Sequence, residues 1–353
     1  MAAPHDRCPD CDSDDFAPDR RRFLTTAGLT AAAAATAPLW AAAKAVAAPT
    51  PQSAAETAVK ALYDTLTDEQ KKAVCFPWDY VDPKRGLLRT HVSNNWQITP
   101  HVVRSDFFTR DQQTIILDIH RGLVNPAWLD RLMKQTLDDN GGKPWGTNHS
   151  VALFGKPGDK NFEFVMTGRH MTLRADGNTE DHVAFGGPIF YGHAAQGFNE
   201  KADHPGNVFW PQALAANRVY KMLDGKQQKL ALVEERPHEA DVGFRGSKGG
   251  YPGIPVTELK GDQKEELQKV VALLIEPFRA EDRDEAVACL KRAGGLDKCS
   301  LAFYKDGDIG EDGVWDNWRI EGPSFVWYFR GEPHVHVWVN VADDPSVKLN
   351  AKG

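Results

Sequence analysis

A motif that recurs in fixed order along the chain limits the fold most. Tyr63-x-x-Leu66-x-x-x-Gln70 returns as Tyr220-x-x-Leu223-x-x-x-Gln227. Asp111-Gln112 is matched by Asp262-Gln263, Ala152-Leu153-Phe154 by Ala302-Phe303-Tyr304, and Gly168 by Gly322. The order is kept and the spacing stays near about 150 residues, so a degenerate duplication is expected, with one supersecondary unit built twice. In each half, segments of helical period come first and strand-like segments follow. Helices are expected over 53–75, 109–123, 126–137, 211–223, 226–235, 256–278 and 281–293. Strands are expected over 151–154, 162–167, 170–174, 183–191, 301–304, 317–321, 324–330 and 334–341. Helices segregated from hairpin-linked strands give an α+β class. The two helix-then-antiparallel-strand repeats are expected to pack as one pseudo-twofold globular unit. The halves divide as 48–206 and 207–353, with long loops over 195–206 and 243–255.

The first 47 residues read as an address. Arg20-Arg21, a spacer, then Phe23-Leu24 match the twin-arginine export pattern, and Ala45-Val46-Ala47 suits signal peptidase. The expectation is a cleaved leader over 1–47, a folded cargo for the twin-arginine translocase, and a periplasmic or secreted protein without stable membrane insertion. Cys8 and Cys11 would leave with the leader. Of the remaining cysteines, Cys289 and Cys299 close a short loop and are the candidate disulfide, while Cys75 reads as buried and inert. Lys and Arg number 42 against 49 Asp and Glu, for a net charge of −7, and no basic run follows the leader. That balance argues against a nucleic-acid partner.

Chemistry concentrates in histidines. In Glu332-Pro333-His334-Val335-His336-Val337-Trp338 the strand period of two puts His334 and His336 on one face, about 6–7 Å apart along the chain, where both can reach one metal ion. Glu332 shares their parity. His170 and His193 are further candidate ligands, from a strand beside Gly168-Arg169 and from the end of Gly186-Gly187-Pro188-Ile189-Phe190-Tyr191-Gly192. Arg169 can clamp a substrate carboxylate, Trp338 can line a cleft, and His204 can close over one from the long loop. No dinucleotide fingerprint, phosphate loop, nucleophile elbow, haem attachment or His-Glu-x-x-His motif is present.

Together, Thr167-Gly168-Arg169-His170-Met171-Thr172-Leu173, the glycine-rich run ending in His193, Gly322-Pro323-Ser324-Phe325, His334-x-His336-x-Trp338 and the Leu-x-x-x-Gln helix starts resemble the bacterial domain-of-unknown-function 3500 family. The resemblance spans about 55–341. It implies that His170, His334 and His336 lie in family motifs, with Arg169 standing where members commonly carry a first histidine of a Gly-His-His-Leu strand. It brings no reaction with it.

The leading expectation is therefore an exported metalloprotein with a histidine-dominated copper or zinc site, since imidazole donors suit those ions over magnesium or calcium. If it is an enzyme, it is a metal-dependent oxidoreductase or hydrolase acting on a small polar substrate. The rivals are a metal-free binding module for a sugar or peptide that uses the same histidine- and tryptophan-lined cleft, and a structural protein with no small-molecule site.

Overall fold

The computed structural model describes residues 48–180, 182–194, 207–310, 312–349 and 351. The leader and His204 lie outside those residues. The first half runs α1 (Ala54–Thr65), α2 (Asp68–Val74), β1 (Cys75–Phe76), β2 (Val81–Asp82), β3 (Gly86–Leu87), α3 (Arg110–Leu123), α4 (Leu129–Asp139), β4 (His149–Gly155), β5 (Phe162–Gly168), β6 (Met171–Ala175) and β7 (Ile189–His193). The second runs α5 (Trp210–Met222), α6 (Gly225–Ala231), β8 (Leu232–Val233), β9 (Ile254–Pro255), α7 (Gly261–Ile275), α8 (Ala280–Arg292), β10 (Ser300–Tyr304), β11 (Asn317–Gly322), β12 (Phe325–Arg330) and β13 (Val335–Val341).

Capping explains the recurring glutamines. Expected as one helix, 53–75 is two, because Thr67 starts α2 with a capping box: its hydroxyl accepts from Gln70 N, and the Gln70 amide oxygen accepts from Thr67 N. The Gln70 amide then faces that of Gln112, which caps α3 in the same way, and each donates to the other at 2.9 Å. Gln227 and Gln263 form the same reciprocal pair at the starts of α6 and α7. The motif persists because each buried amide satisfies a helix end and a partner at once.

One eleven-stranded sheet carries the molecule, in the order β1-β4-β5-β6-β7-β13-β12-β11-β10-β8, with β9 beside β10. Its two outermost pairings, β1 with β4 and β8 with β10, are parallel; every other pairing is antiparallel. The class is α+β. At the centre β7 runs against β13, the seam between the two chain halves. The strand expected over 183–191 starts later, because Ala184–Gly186 forms a 3₁₀ turn with Phe185 at φ 62°.

Both faces of the sheet are covered. Val335, Val337, Val339 and Val341 enter a core with the helices. On the other face, Phe190, Tyr328 and Trp338 are roofed by loop residues such as Val92, Ala240 and Val242. Two buried arginines fasten that roof. Arg174, paired with Glu163 at 2.9 Å, donates to the carbonyls of Arg89 and His91. Arg319, paired with Glu321 at 2.9 Å, donates to the carbonyl of Asp241. Two straps, one from each half, are thereby drawn over the sheet.

The expected Cys289–Cys299 disulfide is absent: both are free thiols. Cys289 Sγ lies against Arg292 and Cys299 Sγ towards the Gly295 carbonyl. Burial pushes both thiols up to about 12. Cys75, also free, is half-buried and pushed up by burial to about 11.

Glu285 on α8 accepts from Phe185 N at 3.1 Å. Burial, then the nearby Asp176 and Asp282 carboxylates, pushes Glu285 up to about 9. A carboxyl whose folded pKa is raised stabilises fully below its unfolded value and loses that contribution as pH climbs through the folded one. Stability should therefore fall between about pH 4.5 and 9, by up to about 1.4 kcal/mol per pH unit. Glu285→Gln keeps an acceptor for Phe185 and should flatten this slope, read from urea midpoints at pH 5 and pH 8. An unchanged slope would show that Glu285 does not titrate there.

Candidate metal centre

Hairpin geometry brings the three histidines together. Gly168 pairs with Met171, so Arg169 and His170 form a two-residue turn rather than the first residues of a strand. His170 sits there at φ 52°, a left-handed conformation that histidine tolerates better than most side chains but still at a cost of roughly 1–2 kcal/mol. Its backbone is held by Asn95, whose Oδ1 accepts from His170 N at 3.0 Å. His336 lies within β13 and His334 one residue before it. As the parity requires, they share a face: His334 Nε2 is 3.0 Å from His336 Nε2, and His170 Nε2 is 3.1 Å from the same atom. The ligand atoms of all three lie within 4.8 Å of one another and can hold a metal ion.

Two carboxylates set the direction of the rings. His170 Nδ1 bonds Asp139 at the end of α4, and His336 Nδ1 bonds Glu239 in the second strap at 2.7 Å. Burial alone would raise the Asp139 carboxyl. His170, Arg169 and the Ala194 N–H together outweigh that and bring it down to about 2. Glu239 also accepts from Asn94 Nδ2 at 3.3 Å and Trp338 Nε1 at 3.3 Å, with Arg330 Nε 3.2 Å away. With a carboxylate on the Nδ1 side of His170 and of His336, both rings turn Nε2 inward.

Two Nε2 atoms 3.1 Å apart must share a proton or hold a cation between them. Two nitrogens on one tetrahedral ion, each at 2.0–2.1 Å, stand about 3.3 Å apart, close to the 3.0 and 3.1 Å that His336 makes with its two neighbours. A carboxylate behind each of two ligating imidazoles is the usual second tier of such centres. His334 and His336 are also kept neutral: burial, then His170 and Arg330, push His334 down to about 2, and burial, then Arg330, holds His336 well below the ordinary imidazole range.

The remaining candidates go elsewhere. His193 pairs across the seam with Val335, one residue out of step with His336, so its ring faces the other side of the sheet. There it stacks on Phe209 and meets Asn207 Oδ1 at 3.3 Å; it does not join the cluster. Glu332 is taken by Arg236 at 2.9 Å. Trp338 is buried, packs edge-to-face on Phe190 and steadies Glu239 rather than lining a cleft. Arg169 pairs with Asp139 at 3.2 Å and lines an open cleft of about 420 Å³ with Asn95, Trp96, Gln97, Asn148 and Gly168. Beside the ligands, Gly192 lies opposite His336, where a Cβ would come 2.2 Å from the Val335 carbonyl oxygen. Any side chain at Gly192 would force the seam apart.

Asp139, Glu239, Asn94 and Asn95 were not singled out by sequence. A signal existed for one of them: Asp138 and Asp139 end α4 with no basic residue in its last turn, where carboxylates oppose the helix dipole. A family model described as "Protein of unknown function (DUF3500)" matches residues 48–342. No curated protein and no solved structure matches the chain.

Proposed function

The chain belongs to the DUF3500 family, and from that premise, which fixes no reaction, we propose on the site's chemistry that it is a metalloprotein whose ion is held by His170, His334 and His336. The observation that carries this reading is the convergence of three inward-turned Nε2 atoms, with Asp139 and Glu239 behind two of the rings. Three imidazoles with no thiolate favour copper or zinc. Bound there, such an ion would supply Lewis acidity or, as copper, an electron-transfer centre. The chain's own part is to fix the ring tautomers, keep the site dry beneath the two straps and leave half-buried His334 as the ligand nearest solvent.

The same reading includes export of the folded protein by the twin-arginine route, argued from Arg20-Arg21 and the alanine-rich stretch that follows. It also takes the halves 48–206 and 207–353 as copies of one unit about a pseudo-twofold axis. The matching glutamine pairs and the strand order, which runs parallel-then-antiparallel inward from both edges, support that relation.

Purified without chelator, the protein should contain about one copper or zinc ion per chain by elemental analysis. Metal-free protein that also fails to take up either ion would overturn the reading in favour of a metal-free binding cleft. Asp139→Asn and Glu239→Gln keep size but release the tautomer, and each should weaken metal binding about 10- to 100-fold in competition with a chromophoric chelator. Unaltered affinity in both would show that the carboxylates do not orient ligands.

A further inference from the structure

Charge accounting around the cluster points beyond the ion itself. Each carboxylate that steadies a histidine is already matched by an arginine: Asp139 by Arg169 at 3.2 Å and Glu239 by Arg330 at 3.2 Å. Nearby Glu332 shares Arg236, at 2.9 Å, with the solvent-exposed Asp306 at 3.4 Å. An imidazole that ligates an ion does so as a neutral donor. A divalent ion would thus bring its charge into a largely buried place where both carboxylates behind the rings are already paired, which is costly without an anion from outside.

The cleft beside the His170 turn has the features such an anion needs. Among its lining residues Asn95, Trp96, Gln97, Asn148, Gly168 and Arg169, arginine is the single charged group, and three others are neutral amides. Asp139 engages Arg169 through Nε. Among the described residues the two Nη groups carry no hydrogen bond, and the fork they form matches the two oxygens of one carboxylate. The same Asn95 that lines the cleft holds the backbone of His170, so the cleft wall and the ligand turn are one piece.

We infer that this centre takes a small organic carboxylate as its ligand or substrate, bound in the cleft with its carboxylate on the Nη edge of Arg169. This rests on the metal reading above, which creates the demand for negative charge. A single guanidinium among amides fits a monoanion with polar substituents better than phosphate, which usually gathers several cationic or backbone donors.

The test uses the full mature chain loaded with cobalt(II), whose visible spectrum reports its coordination, with metal content measured in every sample. Gluconate and benzoate should perturb the spectrum saturably, while benzamide, the neutral isostere of benzoate, should not. Arg169→Gln, and Asn148→Asp, which places a negative charge in the cleft away from the ligands, should each weaken gluconate binding at least 10-fold while metal content holds. A loaded wild type that ignores both carboxylates, or prefers inorganic phosphate to them, would overturn the inference and leave the metal centre standing. Equal gluconate affinity in both variants would overturn the assignment to this cleft. A chain that takes up no metal would remove the premise, and the inference would fall with it.

Discussion

Replacing His336 with alanine should strip the protein of its metal, taking content from about one ion per chain to background and affinity down by at least about 10³-fold, or about 4 kcal/mol. The middle histidine makes both short nitrogen contacts, to His170 at 3.1 Å and to His334 at 3.0 Å, so no two-ligand site of the same geometry survives it. His334→Ala should be milder, because it leaves the His170–His336 pair and both carboxylates in place. Stability supplies a second readout. In metal-free protein His336→Ala relieves the crowding of three imidazoles and leaves Glu239 with Asn94, Trp338 and Arg330, so its cost should fall below the few kcal/mol usual for a buried truncation. In metal-loaded protein the same change should forfeit the whole stabilisation by the ion, about 4 kcal/mol when free metal is 1,000 times its dissociation constant. A variant that retains stoichiometric metal, or whose melting point drops equally with and without metal, would show that the histidines serve only packing.

The second large effect concerns Arg279. It donates to Glu56 twice, at 2.8 and 2.7 Å, and to Asp282 at 2.9 Å, and all three side chains are buried. Arg279→Met would leave those two carboxylates uncompensated, a change that typically costs about 3–5 kcal/mol. Set against a total stability of about 5–15 kcal/mol, that should unfold the protein or bring it close to unfolding. Arg279→Lys should recover only part, since an ammonium cannot reproduce two parallel bonds to Glu56 and a third to Asp282. Adding Glu56→Gln and Asp282→Asn to Arg279→Met should restore most of the loss. Urea denaturation checks all three, and full stability in Arg279→Met would contradict the pairing. Glu56 lies on α1 and Asp282 on α8, so this arginine ties one half of the chain to the other.

Much of the fold could be read from the residues. Helices and hairpin strands were placed by period, and the recurring glutamines turned out to be amide pairs that cap four helices. For the site, parity put His334 and His336 on one face, and the Gly168-Arg169-His170 sequence pointed to the third ring. What could not be read was register. His193 stood as a further candidate ligand, and pairing with Val335 puts it on the opposite face, a one-residue offset that periodicity cannot fix across a seam between distant segments. Glu239 and Asn95 were invisible for a different reason. They sit on irregular straps whose course is set by Arg174 and Arg319 bonding to backbone carbonyls, and no side-chain pattern encodes such bonds.

The ligands come from both sides of the β7–β13 seam, and His170 and His336 are 166 residues apart in the chain. Closing so long a loop is an expensive step that local structure does not reward, so it belongs late in folding. Neither half alone holds more than two of the three rings. An emerging or half-folded chain would therefore offer a metal only a poor chelate, and on the proposed reading an ion would be captured after the halves have docked. Occupancy of the centre would then serve as a certificate of completed folding, and an ion once seated would resist the seam's reopening.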